Sequence, residues 1–596
     1  MCIRDSSFTP KLAPGDLVAN QYEVAGCLAH GGLGWIYLAR DRNVSDRWVV
    51  LKGLLNTGDK DALAVAIVER QFLAQVEHPL IVEIYNFVTH DEAGYIVMEY
   101  VGGTSLKQIL KARMRANNGK FDPLPVDQAL AYILEILPAF SYLHDLGLVY
   151  CDFKPDNLIQ VGDAVKLIDL GGVRRIDDQE SAIYGTVGYQ APEVAQVGTS
   201  VASDIYTIGR TLVVLVTEFR GYQSRYVASL PPVAETPVFA DHDSLYRLIV
   251  KACATDPADR FASVDELRVQ LLGVLREVVA AKTHGTSLTS AASVLFEPPA
   301  ITSEALEWDE LPALRVDTND PQYAWLSNIS VEDPGERLAE LQRAPASTPE
   351  VWLAQARAGL ELRRADLVNQ IVNQMLADDP WEWRAVWVSG LAALDSGDFA
   401  AAQSSFNAVL GQVPGELAPK LALALACERG GEGEIAEGLY QICASTDANY
   451  VAAAAFGMAR IRGARGDVAG AVSALDLVPS TSRSFPESRR LRAEVLYESG
   501  QGLPALAGAM DSLKGVSLDP RAQAQLTAAI LERAVAEVGR SGPDAKVTIG
   551  PYAARDESLR DGLETTYRAL AATESDPEER YALVDKANAV RRWTLQ

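Results

Sequence analysis

The sequence predicts a multidomain chain in which a domain of mixed strands and helices is followed by an all-α helical repeat domain. Three observations carry this reading. The chain has 596 residues, more than a single hydrophobic core organises. From Tyr22 to about residue 275, short runs rich in β-branched and aromatic residues alternate with longer helical stretches. After about residue 346, Ala and Leu dominate at helical spacing, and Gly-Asp breaks recur at Gly397-Asp398 and Gly466-Asp467, 69 residues apart. That spacing is close to two periods of about 34 residues, the length of a helix–turn–helix repeat.

Residues 1–20 read as an N-terminal tail and 21–275 as the mixed domain. Within it YEVAGCL, GWIYLARD, WVVLKGL and YIVMEYV read as strands, separated by Gly or charged residues, with a helix over 62–76. Residues 276–345 are rich in Ser, Thr, Pro and acidic residues and predict an extended linker. Residues 346–515 carry the repeats. In one unit Gly390, Ala402, Phe406 and Pro414 stand at offsets that resemble the tetratricopeptide (TPR) pattern. Small residues let two antiparallel helices approach, the aromatic ring fills the gap, and Pro stops the second helix. A next unit keeps Ala436 and Tyr440, and a third keeps Gly457 and Ala469. Residues 516–596 are helical by pattern, without a clean repeat.

A net charge of −25 argues against broad nucleic-acid binding, which needs Lys and Arg against phosphates. Six cysteines, at 2, 27, 151, 253, 427 and 443, include no C-x-x-C pair, so neither a disulfide framework nor a Cys-rich metal site is expected. A reduced, cytoplasmic setting follows. No run of eighteen apolar residues predicts a membrane span, and MCIRDSSFTP lacks a signal core. The opening MCIRDS is unlike a natural start, so the natural chain is expected to begin further upstream.

The chemistry concentrates in the mixed domain. Cys27-Leu28-Ala29-His30-Gly31-Gly32-Leu33-Gly34-Trp35-Ile36 closes one strand and opens the next. Glycines there let backbone approach phosphates, although Ala29 holds the place of the first glycine of G-x-G-x-x-G. Lys52 lies on the following strand and Glu69 on the next helix. The strongest signal is Val149-Tyr150-Cys151-Asp152-Phe153-Lys154-Pro155-Asp156-Asn157-Leu158, with Asp169-Leu170-Gly171 beginning twelve residues after Asn157. Asp152 can accept the proton of an attacking hydroxyl, and Lys154 can neutralise charge on a transferring phosphoryl group. Asn157 and Asp169 supply hard oxygen ligands for Mg²⁺.

On these residues the domain resembles the eukaryotic-like protein kinases, which implies a bilobal α+β fold using ATP with Mg²⁺, or Mn²⁺ in its place. The resemblance assigns Lys52 to the α and β phosphates and Glu69 as its partner. It places Leu28, Ala29, Gly31, Gly32, Gly34 and Ile36 around the nucleotide, and backbone groups of Glu99 and Val101 against adenine. Ala191-Pro192-Glu193, Asp204 and Arg260 match structural positions of the family: the end of the activation segment, the anchor of the catalytic loop, and the arginine that pairs with Glu193. Lys154 with Gly185-Thr186 resembles serine/threonine rather than tyrosine kinases, with the Thr186 hydroxyl bridging Asp152 and Lys154.

One departure is specific. Tyr150-Cys151-Asp152 replaces H-R-D, and Cys151 cannot bind an activation-loop phosphate as that arginine does. Together with AHGGLGWIYLA, ERQFLAQVEHP and the C-terminal repeats, this resembles the actinobacterial protein kinase G family from about residue 20 to the end. That family implies a soluble kinase of bacterial central metabolism, associated with glutamate and 2-oxoglutarate balance, acting on a small forkhead-associated (FHA) domain protein. Separately, the concave face that stacked helix pairs leave over 346–515 predicts docking of protein partners or association of chains, as in a dimer. Its usual rubredoxin-like metal domain has two Cys pairs that this sequence lacks, so iron binding is not carried over. The competing reading is a pseudokinase scaffold, motivated by Ala29 and the Tyr-Cys replacement. The retained Lys52, Glu69, Asp152, Lys154, Asn157 and Asp169 oppose it.

Overall fold

The computed structural model describes residues 10–31, 34–53, 71–91, 93–178, 183, 185–283, 289–300 and 305–591. The chain divides into two compact units, Met1–Val278 and Val279–Gln596.

The first unit opens with a six-stranded antiparallel sheet. Its strands are β1 (Leu17–Val18), β2 (Tyr22–Gly31), β3 (Gly34–Asp41), β4 (Arg47–Gly53), β5 (Ile84–His90) and β6 (Ala93–Glu99), in the order β1-β2-β3-β4-β6-β5. Alternation along these strands buries Val24, Tyr37, Val49, Leu51 and Val97 in one core. The β2–β3 turn depends on Gly34, at φ +137°, where a Cβ would stand 3.1 Å from the Gly53 carbonyl oxygen. β5 was not among the expected strands. It pairs along β6 through a short turn that uses Asp91 at φ +47°. Of the expected 62–76 helix, the described part is a 3₁₀ turn, Gln71–Gln75.

Below the sheet the unit is helical. Val126–Asp145 and Val201–Val216 carry Ile133, Leu137, Phe140, Ile205, Ile208 and Leu212 into a fully buried core. This core supports the loop that follows Leu148–Val149.

The second unit stacks antiparallel helix pairs. Pro349–Glu361 pairs with Ala365–Asp378, Trp383–Ser396 with Phe399–Gln412, Ala418–Arg429 with Gly433–Thr446, and Val451–Ala464 with Val468–Leu475. The small-residue logic is visible atom by atom. A Cβ at Gly390 would meet the Phe406 ring at 2.6 Å, and one at Gly457 would meet the Tyr440 ring at 2.4 Å. The Gly-Asp breaks divide the work of a turn. Gly397 and Gly466 take φ +80° and +76° to end one helix, and the Asp398 and Asp467 carboxylates accept N–H bonds from Ala401 and Gly470 to start the next.

Two stretches differ from expectation. In the stretch expected as an extended linker, Phe296 is buried with its ring centroid 5.0 Å from that of Trp387, and the helix Pro334–Leu341 buries Leu338 and Leu341. A few large apolar side chains among many polar ones suffice to tie this segment to the helical unit. Residues 516–596 include a hairpin, Asp544–Ile549 with Tyr552–Ala554, turned at Gly550, between the helices Pro520–Ser541 and Asp556–Thr573.

Candidate active site

The site is built on a loop fixed from beneath. Asp204, fully buried in the helix Val201–Val216, accepts N–H bonds from Tyr150 at 2.8 Å and Cys151 at 2.7 Å, with His144 Nε2 2.9 Å from its carboxylate. The Tyr150 ring packs edge-on against Phe140, centroids 5.5 Å apart. Cys151 takes φ +70°, a left-handed conformation that a side chain adopts only where surrounding bonds impose it. Its thiol is pushed well up, first by burial and then by the Asp204 charge. It is an inert packing group.

Asp152 emerges from this anchored turn. Thr186 donates to its Oδ1 at 2.6 Å, and Lys154 donates both to the other Asp152 oxygen and to the Thr186 hydroxyl, the latter at 2.7 Å. The three side chains thus close a ring around one carboxylate. Asn157 Nδ2 donates to the Asp152 carbonyl at 2.8 Å, which fixes the amide so that its oxygen is the acceptor. The Gly171 N–H donates to Asp169 Oδ1 at 2.7 Å, and the buried Lys52 ammonium pairs with the same oxygen. Burial alone would raise the Asp169 carboxyl. The Lys52 charge and hydrogen bond, the Gly171 N–H and Lys154 outweigh it and hold the group below the ordinary carboxylate value. An ionised carboxylate and an oriented amide oxygen are the hard donors a divalent cation of the Mg²⁺ type takes.

The remaining expected residues fall as follows. Leu28, Ala29 and Gly31 lie on β2, and Ile36 on β3 stands opposite Lys52 on β4. Gly32 and Glu69 lie outside the described residues. The Glu99 carboxylate pairs with Lys166 at 2.6 Å and its N–H donates to the Glu83 carbonyl at 2.9 Å. The Glu99 N–H and carboxylate are thus both engaged within the protein. Among the described residues, the Val101 N–H has no backbone partner.

Glu193 and Arg260 form a bidentate pair at 2.7 and 2.9 Å, with the arginine side chain fully buried. Arg174 pairs with Asp178, donating to its carbonyl and lying 3.4 Å from its carboxylate. Sequence reasoning missed Arg210. It is fully buried, and its guanidinium donates to the carbonyls of Gly188, Tyr222, Tyr226 and Ser229, knitting the segment after Thr186 to the helical core. The available signal was a lone arginine inside the apolar run IYTIGRTLVVLV, which a helix tolerates only when the charge is satisfied.

Comparison with known proteins agrees with this geometry. Residues 22–267 match the protein kinase domain, and residues 302–594 match the protein kinase G tetratricopeptide repeat. The chain is 41% identical to the serine/threonine-protein kinase PknG of Mycobacterium leprae over 99% of its length and 81% of the relative's. It is 40% identical to PknG of Mycolicibacterium smegmatis with the same coverage. A probable serine/threonine-protein kinase PknB of Lactococcus lactis is 31% identical over 42% of each chain. The chain belongs to the PknG family, serine/threonine-protein kinases whose catalytic domain is followed by a tetratricopeptide-type helical domain.

Proposed function

We propose that Asp152 is the general base of phosphoryl transfer from ATP to a Ser or Thr hydroxyl of a protein substrate. The observation that carries this is the closed ring of Asp152, Lys154 and Thr186. Asp152 takes the hydroxyl proton as the oxygen–phosphorus bond forms and the bond to the ADP oxygen breaks. Lys154 balances the charge that develops, and Thr186 holds both in register. Lys52 positions the α and β phosphates, with Leu28, Ala29, Gly31, Gly32, Gly34 and Ile36 around the nucleotide and the Glu99 and Val101 backbone at the base. Glu69 holds Lys52 in place. Asn157 and Asp169 would hold Mg²⁺, which when bound would neutralise phosphate charge.

The substrate we assign is a small FHA-domain regulator of glutamate and 2-oxoglutarate metabolism, and the compartment is the cytoplasm. The first rests on the likeness to the PknG family. The second is supported by the free thiols of Cys27, Cys151, Cys253, Cys427 and Cys443. No helix among the described residues is long and apolar enough to cross a membrane. The helical repeats dock the protein partner or associate chains. A chain truncated near residue 275 should then phosphorylate short peptides normally but a folded substrate less efficiently; equal activity on both rejects docking. For the base, Asp152→Asn with labelled ATP should lose transfer entirely while nucleotide affinity stays within about threefold. Normal turnover in that variant rejects the assignment.

A further inference from the structure

The helical unit holds a cleft of about 470 Å³ between the segment 308–316 and the helices Pro334–Leu341, Pro349–Glu361 and Trp383–Ser396. All but five of its lining residues are apolar, among them Trp308, Leu314, Leu326, Leu353, Trp387 and Leu391. Packed interiors seldom leave voids much larger than a water molecule, and an apolar cavity of about 150 Å³ already takes up benzene. A concave space of this size with so apolar a lining has the character of a small-molecule site. We infer that this cleft binds a small monoanionic amphiphile, an alkyl carboxylate, with its chain on the apolar walls and its carboxylate at Arg357 and Arg337.

The charges of the lining select an anion. Arg337 pairs with one oxygen of the Glu361 carboxylate and donates to the Glu332 carbonyl at 3.2 Å. Arg357 lies 3.6 Å from the other Glu361 oxygen, beyond hydrogen-bond length, and its side chain is 52% exposed. Two guanidinium groups thus share one carboxylate, and one positive charge is left for a ligand. Two further carboxylates line the cleft, Glu350 and Asp309. Glu350 stands seven residues before Arg357 on the same helix, about 10 Å along its axis. Burial pushes its carboxyl up, and Arg384, 2.5 Å away, already engages it. Asp309 is exposed, so water and salt screen its charge. A cation entering the cleft would leave its own water and meet two arginines, whereas a carboxylate completes the hydrogen bonds that Glu361 leaves open.

The walls are held by the protein's own bonds. The Glu297 N–H donates to the Ala313 carbonyl at 2.8 Å and the Arg315 N–H to the Leu295 carbonyl at 2.9 Å, which braces the segment 308–316 from behind. The Trp387 ring sits between Phe296 and Phe406, with centroids 5.0 and 5.2 Å away. Gln355 Nε2 donates to the Leu341 carbonyl at 2.9 Å and ties the helix Pro334–Leu341 to Pro349–Glu361. A ligand therefore has little of the protein to order on entering, which favours affinity from a modest apolar area.

The test uses the full chain, titrated calorimetrically with decanoate and with decyltrimethylammonium, which carries an alkyl chain of the same length and the opposite charge. One decanoate should bind per chain, at least about tenfold more tightly than the cation, the range that one charge-assisted contact gives. Arg357→Glu, at an exposed position, should lower that ratio about tenfold or more while the thermal transition stays in place. Ala354→Trp, which fills the cleft from its wall, should weaken decanoate about tenfold or more. Should Ala354→Trp fail to fold, as judged by its thermal transition, Ala354→Leu should weaken decanoate about threefold or more. No binding at about 1 mM decanoate overturns the proposal, since such an affinity is too weak for a built site. More than one decanoate per chain, equal affinity for the two amphiphiles, a ratio that Arg357→Glu leaves unmoved, or decanoate affinity unchanged in the folded Ala354 variant overturns it as well.

Discussion

Replacing Thr186 by Val removes one hydroxyl and keeps the shape of the side chain, so it isolates the hydrogen bonds of the ring. That hydroxyl makes two bonds to charged partners, 2.6 Å to Asp152 and 2.7 Å from Lys154. Bonds to charged groups are worth roughly 1.5–3 kcal/mol each. Two corrections reduce the sum. The direct contact of Lys154 with Asp152 survives, and the side chains of both are 19% exposed, so water takes up part of what is lost. The net loss is then close to one such bond, about 2 kcal/mol, or a fall of roughly 30-fold in kcat. Steady-state assay with a peptide acceptor should show that fall with KM for ATP within about threefold of the parent, because Thr186 touches no residue assigned to the nucleotide. Thr186→Ser restores the hydroxyl and should recover activity to within about threefold. A Val variant that stays within threefold, or a Ser variant as impaired as Val, refutes the claim that the hydroxyl orders the base.

Gly390→Val should lower the stability of the helical unit by about 1–3 kcal/mol, since its Cβ would meet the Phe406 ring at 2.6 Å; an unchanged unfolding transition contradicts the packing described. Asp169 has its folded pKa depressed, chiefly because the Lys52 pair and Gly171 N–H outweigh burial. Its stabilising contribution is therefore full above the unfolded value of about 3.9 and is lost as pH falls through the lower folded one. Urea unfolding should show a shallower decline below about pH 4 in Asp169→Asn than in the parent, and parallel profiles would contradict the pair. Ser181 and Tyr184 lie outside the described residues. Changing them together to Ala and Phe should leave activity within a few fold because Cys151 replaces the arginine of the usual phosphate receptor; a hundredfold loss would show a phosphate being read elsewhere.

The grouping of Asp152, Lys154 and Asn157 was legible because it is local in the chain. The three stand within six residues, so their spacing can be read directly, although Asp204 and Thr186, distant in sequence, complete the geometry. The Gly-Asp turns of the repeats were legible for a similar reason, since each residue performs its backbone task where it stands. The Arg210 network was not. Its four carbonyl partners are scattered over residues 188–229, and no spacing announces which loops will fold back over one helix. The packed stretch around Phe296 was hidden differently: its composition is polar on average, while its placement depends on a single ring against Trp387. β5 was missed because IYNFVTH alternates weakly, and its burial comes from its neighbour β6 rather than from its own pattern.

Arg174 and Asp178 stand four residues apart in the stretch that follows Asp169-Leu170-Gly171, and the arginine is almost wholly withdrawn from water. The positive charge of this stretch is thus met by an anion encoded in the same stretch, made when the chain is made. No second enzyme has to supply it and no phosphatase can remove it.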